Sequence, residues 1–305
     1  MNMPNGLRWL PLLLLALLLP WNASAHDTGT AGPETPLPTW TDPATGLEFI
    51  RIPGGCFLMG SPLSEPGHEP GEERRRVCLD PFWISRTEVT RGQFAAFVKN
   101  TNYVAQSTKQ DWVRVWDHRW ENVYGSDWRD PGMEQTDQHP VAGVSYSDAE
   151  AMARWMRRQS GHHIALPTEE QWEYAARAGT TTSRWWSNEY DKQICTYANV
   201  GDLTNLAELG RKRQNPMPSA PCRDGFPFSA PVASFQPNPW GLHDMFGNVQ
   251  EWVRTDRKTQ YNENHLLCGG HFLSFDTDIR AAKREDPSLE YGVYFFMGFR
   301  LVRTD

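Results

Sequence analysis

Residues 185–240 constrain this chain more than any other stretch. They show almost no apolar repeat at the period of a strand or of a helix, yet aromatic, Asn and Asp residues are frequent there. A connection of that length with no elements of its own needs a clamp, and disulfides and metal ions are the clamps available to a protein. The chain also carries 24 glycines and 23 prolines beside 14 tryptophans, a balance that favours many loops stiffened by aromatic packing over long helices. The fold class expected is α+β, a single compact domain with little regular secondary structure.

All five cysteines (Cys56, Cys78, Cys195, Cys222 and Cys268) follow an N-terminal segment that reads as a secretory signal: Arg8, an apolar run, then Ala23-Ser24-Ala25. No cysteine stands directly after the run, as lipid attachment would require, and no later segment is apolar for long enough to insert in a membrane. In an oxidising compartment such cysteines pair, and an odd count leaves one over. Cys56 in GGCFLMGS and Cys78 in RRVCLDPFWI sit in strand-like runs that neighbouring strands would bring together. Cys195 and Cys222 flank the long loop. That pairing leaves Cys268 free, as a buried apolar filler or, if exposed, a redox-active thiol; other pairings stay open to the sequence. The domain boundaries expected are a signal over 1–25, a Pro/Thr-rich leader over 26–45 and the domain over 46–305. Past the signal no N-x-S/T sequon occurs, which favours a bacterial periplasm.

Three segments carry the capping-box signature of a helix start: Thr90 with Gln93, Ser147 with Glu150, and Thr168 with Gln171. Apolar faces follow at helical spacing (Phe94, Phe97, Val98; Met152, Trp155, Met156; Trp172, Ala175, Ala176), and Gly161 and Gly179 stop the second and third. These faces are core. LEFIRI alternates as a strand does. Residues 65–76, EPGHEPGEERRR, read as a solvated lid or surface turn, and Trp112, Trp116, Trp120 and Trp128 as the packing of an insertion at helical spacing. A formal charge of −7 without a basic stripe excludes a nucleic-acid partner.

Seven motifs in order resemble the formylglycine-generating enzyme, or sulfatase-modifying factor, family: IPGGCFLMGS, FWISRTEVTRGQFAAFV, PVAGVSYSDAEAMARWM, ALPTEEQWEYAARAG, PVASFQPNPWGLHDMFGNVQEWV, CGGHF and GFRLV. The resemblance implies a C-type-lectin-like domain and two structural calcium sites. The first would take the Asn199 side chain, the Val200 carbonyl, the Asp224 side chain and the Phe226 carbonyl. The second would take the Asp244 and Glu251 carboxylates with the carbonyls of Gly247 and Val249. Mixed oxygen sets of this kind suit calcium; Asn and Asp as simple turn formers are the alternative.

The resemblance also implies where copper(I) would be held, by two cysteines five residues apart. Counted from the glycine pair, those positions are Ser274 and Ile279, with Asp278 adjacent if the register slips by one. His271 replaces the serine after the glycines, and Gln250 the tryptophan of the GNxWEW motif. A hydroxyl and an aliphatic chain cannot hold copper(I) as two thiolates do. Copper is therefore not expected, nor formylglycine generation on sulfatases. The candidates left at the cleft are His271, Ser274, Asp276, Asp278 and Gln250, with Arg280 and Arg284 nearby. His271 or an aspartate could serve as a base, a Ser-His-Asp arrangement could support hydrolysis, or the group could simply hydrogen-bond a loop.

Two functions are weighed. The first is a periplasmic tailoring or maturation enzyme, similar to the cysteine-less branch that oxidises the siderophore precursor dihydropyoverdine, with Trp240 and Phe272 stacking on a small-molecule substrate. The second is a non-catalytic binding or assembly factor for a periplasmic protein partner. A peptide substrate fits either.

Overall fold

The alternating run becomes β2 (Glu48–Ile52), which buries Phe49, Ile50 and Ile52 and exposes Arg51. In the computed structural model, which describes residues 35–117, 119–210, 219–257, 264–287 and 292–305, β2 lies second in a five-stranded sheet. The expected signal and the first part of the expected leader lie outside those residues. The sheet order is β1 (Thr39–Thr41), β2, β5 (Phe82–Ser85), β12 (Val302–Arg303), β8 (Ile164–Ala165), with every pairing antiparallel. Strand β12, near the C-terminus, thus sits between strands from the first and middle thirds of the chain. The end of the Pro/Thr-rich leader supplies β1.

Two of the three capping boxes form where the sequence places them. Thr90 caps α1 (Arg91–Thr101) with Gln93, and Thr168 caps α4 (Glu169–Arg177) with Gln171. The middle one is shifted: Ser145 and Asp148 cap α3 (Tyr146–Ser160), so Ser147 lies inside the helix. The Asp148 carboxylate also accepts from Tyr103 Oη at 2.9 Å and the Gln106 N–H at 3.0 Å, contacts that fix the earlier start. Gly161 closes α3, whereas Ala178 at φ +46°, one residue before Gly179, closes α4. The tryptophans at helical spacing are not on a helix. β6 (Trp112–Asp117) and β7 (Arg119–Tyr124) form a hairpin, with the short α2 (Gln106–Gln110) before it.

The expected disulfides form. β3 (Gly55–Met59) and β4 (Arg75–Leu79) pair so that Cys56 faces Cys78, with S–S 2.08 Å. Cys195 and Cys222, with S–S 2.09 Å, close a loop that carries α5 (Ile194–Tyr197) and α6 (Leu203–Gly210), two short helices that the sequence reading had not placed. Two apolar clusters make the core. One packs α1 and α3 around Phe94, Phe97, Met152 and Trp252; the other packs α4 around Trp172, Phe246 and Ile279. Fully burying each such side chain contributes about 1.5–3 kcal/mol. β9 (Gln250–Arg254) crosses between the clusters. It pairs antiparallel with β10 (His265–Cys268) and parallel with β11 (Met297–Gly298), and this small sheet carries the candidate site.

Candidate functional site

β10 runs antiparallel to β9, placing Cys268 opposite Glu251, and ends in Gly269 (φ +91°) and Gly270 (φ +70°). Glycine is needed at the second for lack of room: a Cβ there would lie 2.6 Å from Ile279 Cδ1 and 3.2 Å from Ser274 Cβ. The loop therefore folds back on the glycine so that Ser274 and Ile279 both border it. These are the two positions at which the resemblance would set copper-binding sulfurs. Ile279 is fully buried and Ser274 nearly so, and the Ser274 hydroxyl accepts from the His271 N–H at 3.1 Å. An aliphatic side chain fills the place of the second thiolate.

The other candidates are close in sequence and engaged in different bonds. The His271 ring stacks on Phe296 at 3.7 Å between centroids, and its Nδ1 accepts from the Leu273 N–H at 3.2 Å. Burial against the aromatic rings pushes this imidazole down to about 3, leaving it neutral and a weak base. Asp276 pairs with Arg184 and the His271 Nδ1 is taken by the Leu273 N–H, so among the described residues no Ser-His-Asp relay assembles. Gln250 is tied to Phe296, to whose carbonyl its backbone N–H donates at 2.8 Å. Its side-chain Nε2 donates to Glu285 Oε2, also at 2.8 Å. Asp278 differs: burial raises its carboxyl above the ordinary range, and among the described residues no ion pair holds it. Phe272 is fully buried and cannot stack on a ligand; Trp240 packs edge-on against Tyr174. Cys268 is buried, and burial pushes its thiol up to about 12, a filler and not a nucleophile.

Residues 65–76 are a surface turn with most side chains exposed, as expected, but Glu65 and Glu72 turn inward. Arg280 reaches across to them, donating to both oxygens of Glu72 (2.7 and 2.9 Å) and to Glu65 (3.0 Å), and all three side chains are at most 9% exposed. Glu72 in turn accepts from the Ser61 hydroxyl at 2.7 Å. Arg284 does the same for α4, donating to Glu169 and Glu173. Buried ion pairs of this kind hold a loop in one register, because breaking one strands a charge.

Among the described residues no three His, Cys, Asp or Glu side chains converge as a metal-ligand group, so any cation here must rely on amide and carbonyl oxygens as well. The first calcium set meets that condition. Asn199 Oδ1 is buried with no partner, while Asn199 Nδ2 donates to the Phe228 carbonyl. Asp224 accepts from the N–H groups of Val200 (3.4 Å) and Phe226 (2.8 Å), which draws the expected donors together. Burial, with Asp202 alongside, pushes its carboxyl up to about 7. In the second set Asp244 Oδ1 is likewise buried and unpartnered. Glu251, however, is committed: Arg300 Nε donates to both its oxygens (2.9 and 2.7 Å) and Trp172 Nε1 to one (2.7 Å). The carboxylate that meets Asp244 is Glu88, fully buried, raised far above its ordinary value by burial and by Asp244, and with Oε2 unpartnered. Two such carboxylates must share a proton or a cation. Asn248 ties the two sets together, its Nδ2 donating to Glu88 Oε1 and its Oδ1 accepting from Asn199 Nδ2. The sequence reading missed both Glu88 and Asn248. The signal for Glu88 was a lone acid in SRTEVT between a buried strand and a helix cap.

The family model of the sulfatase-modifying factor enzyme 1-like domain matches residues 38–305. The chain is 36% identical to the formylglycine-generating enzyme of Thermomonospora curvata, over 67% of this chain and 70% of that protein. With the enzyme of the same name from Streptomyces coelicolor it shares 35% identity over 86% and 88%. It is 29% identical to the inactive C-alpha-formylglycine-generating enzyme 2 of Mus musculus, over 87% and 84%. Among solved structures, PvdO from Pseudomonas aeruginosa has the same fold, with TM-score 0.69 at 24% identity, covering 90% of this chain and 100% of that one.

Proposed function

This chain belongs to the sulfatase-modifying factor family, and on that premise we propose that it is an exported, copper-independent tailoring protein of the periplasm. The carrying observation is that Ser274 and Ile279 converge on Gly270, so the place of a two-thiolate copper site holds a hydroxyl and an aliphatic chain. Two disulfides support the exported reading, since they persist in oxidising compartments. The favoured reaction is oxidation of a siderophore precursor such as dihydropyoverdine. Two electrons and two protons leave the substrate ring for dioxygen, giving hydrogen peroxide. Asp278 is the residue suited to carry a proton, because its carboxyl is raised and held by no ion pair among the described residues, whereas His271 is too weak a base. The calcium sets would brace the loop around Asn199 and Asp224 and the segment around Glu88 and Asp244, as structural ions. Purified protein given dihydropyoverdine and oxygen should change the chromophore's absorbance, and Asp278→Asn should slow that change at least tenfold. No absorbance change above the protein-free rate removes the reaction.

One observation favours a second reading, a non-catalytic binding or assembly factor for a periplasmic protein. His271, Ser274, Asp276 and Gln250 each already satisfy a bond within the fold. A stable co-purifying partner with no ligand consumed would select it.

A further inference from the structure

Beside the filled copper position lies a cavity of about 250 Å³, between residues 62–74 and the stretch from Thr181 to Asn188. Three arginines border it, Arg74, Arg184 and Arg280, against two carboxylates, Glu65 and Asp276. The three are not equivalent. Arg280 is saturated by Glu72, Glu65 and the Gly67 carbonyl, and serves the fold. Arg74 makes no ion pair among the described residues. Arg184 is buried, its side chain 1% exposed, and its sole carboxylate partner among the described residues, Asp276, is 48% exposed on a loop; Nη2 also donates to the Asp276 backbone carbonyl at 3.0 Å. Its Nη1 donates to the Asn188 carbonyl at 3.1 Å, but its Nε is buried with no partner. Tyr190, whose ring lies 5.5 Å from that guanidinium, has a buried hydroxyl that is also unpartnered.

A buried cation whose counter-ion is half in water is a poor structural pair, since the charge pays full desolvation for a partner that solvent screens. Burial pulls the guanidinium below its ordinary range even with Asp276 in contact. The arrangement suits an anion that comes and goes: a ligand carboxylate can take the guanidinium while Asp276 swings to water. Planar two-oxygen anions match the guanidinium fork best. At ~30 Å³ per water the cavity holds roughly eight water volumes, room for a small polycarboxylate or the acidic arm of a larger molecule.

We propose that this cavity binds the carboxylate of a small organic acid through Arg184 and Arg74, with Asp276 as the chain's own competitor for Arg184. The site goes beyond the proposed reaction and needs no turnover. Because Trp185 and Trp186 adjoin Arg184, tryptophan emission reports on it. Citrate is titrated into the full-length exported protein at low salt, with inorganic phosphate and trimethyl citrate as parallel arms. Citrate should bind saturably and trimethyl citrate should not. Arg74→Gln should weaken citrate roughly tenfold, and Asp276→Asn should tighten it by several-fold, because the competitor loses its charge. Arg184→Gln should abolish binding; if that buried change prevents folding, the other two variants carry the test. No saturable citrate binding overturns the proposal, as does weaker binding in Asp276→Asn or equal affinity for phosphate. Citrate binding without dihydropyoverdine oxidation removes the proposed reaction alone, and oxidation without citrate binding removes this site alone.

Discussion

Asp224 offers the sharpest test of the calcium sets, because its charge has opposite effects with and without the ion. Its carboxyl sits at about 7 in the fold against an ordinary 3.8. Between those values the folded chain holds a proton that the unfolded chain has released. Stability must therefore fall as pH rises through that window, the reverse of the usual salt-bridged aspartate. About 3 pH units at 1.36 kcal/mol each gives roughly 4 kcal/mol, lost by pH 8 in the metal-free protein. Calcium would replace the proton as counter-charge. At a thousand times its dissociation constant it would add about 4.1 kcal/mol, more than the roughly 3 kcal/mol at stake, and flatten the slope.

Asp224→Asn separates the two regimes. The amide keeps the 2.8 Å bond from the Phe226 N–H and can turn its NH₂ toward Asp202, giving up only the 3.4 Å contact from Val200, at a cost of about 1 kcal/mol. In EDTA at pH 8 the variant should be more stable than the parent by roughly 3 kcal/mol; in calcium the order should reverse. Urea denaturation from pH 4.5 to 8, with EDTA or with millimolar calcium, reads all four curves. A parent whose pH slope is the same in both solutions, or a variant less stable than the parent in both, refutes the reasoning.

Three further outcomes follow from the same geometry. Replacing Ser274 and Ile279 together by cysteine should give one equivalent of bound copper(I) in competition with bicinchoninate, where the parent and both single variants give none. Removing the Cys195–Cys222 pair by alanine should cost about 3.5 kcal/mol in chemical denaturation, from the chain entropy of a loop closed at a separation of 27 residues. Arg300→Met should cost about 3–5 kcal/mol by leaving Glu251 buried without its counter-charge, and the double change with Glu251→Gln should recover part of it.

Local signals carried the scaffold, and distant partners hid the rest. Two capping boxes and the alternating LEFIRI run were legible because their physics lies within a few residues. Ser147-x-x-Glu150 and Ser145-x-x-Asp148 both satisfy the same rule; only Tyr103 and Gln106, more than 40 residues away, decide between them. Trp112, Trp116 and Trp120 suggested a helix by spacing, but β-branched neighbours in WVRVWD and ENVY favour a strand, and the hairpin forms. The inward turn of Glu65 and Glu72 is hidden in the sequence because Arg280, which pairs with both, stands more than 200 residues later. Glu88 was passed over for the same reason: nothing near it in sequence shows that Asp244 faces it.

The changes around Gly270 are linked by volume as well as chemistry. Ile279 at the second thiolate position fills space against the glycine, and packing at that density leaves no room for a bound ion or a substrate sulfur between them. Ser274 is drawn into a backbone bond, and His271 is laid flat on Phe296. On the reading proposed above, a site filled in this way would meet a ligand at its edge. The edge open to it is the Asp276 side, where the same loop borders Arg184 and the cavity roofed by residues 62–74. Asp278 stands two residues further along the same loop. On that same reading the loop's rim, with arginine in place of a soft metal, would choose what the protein binds.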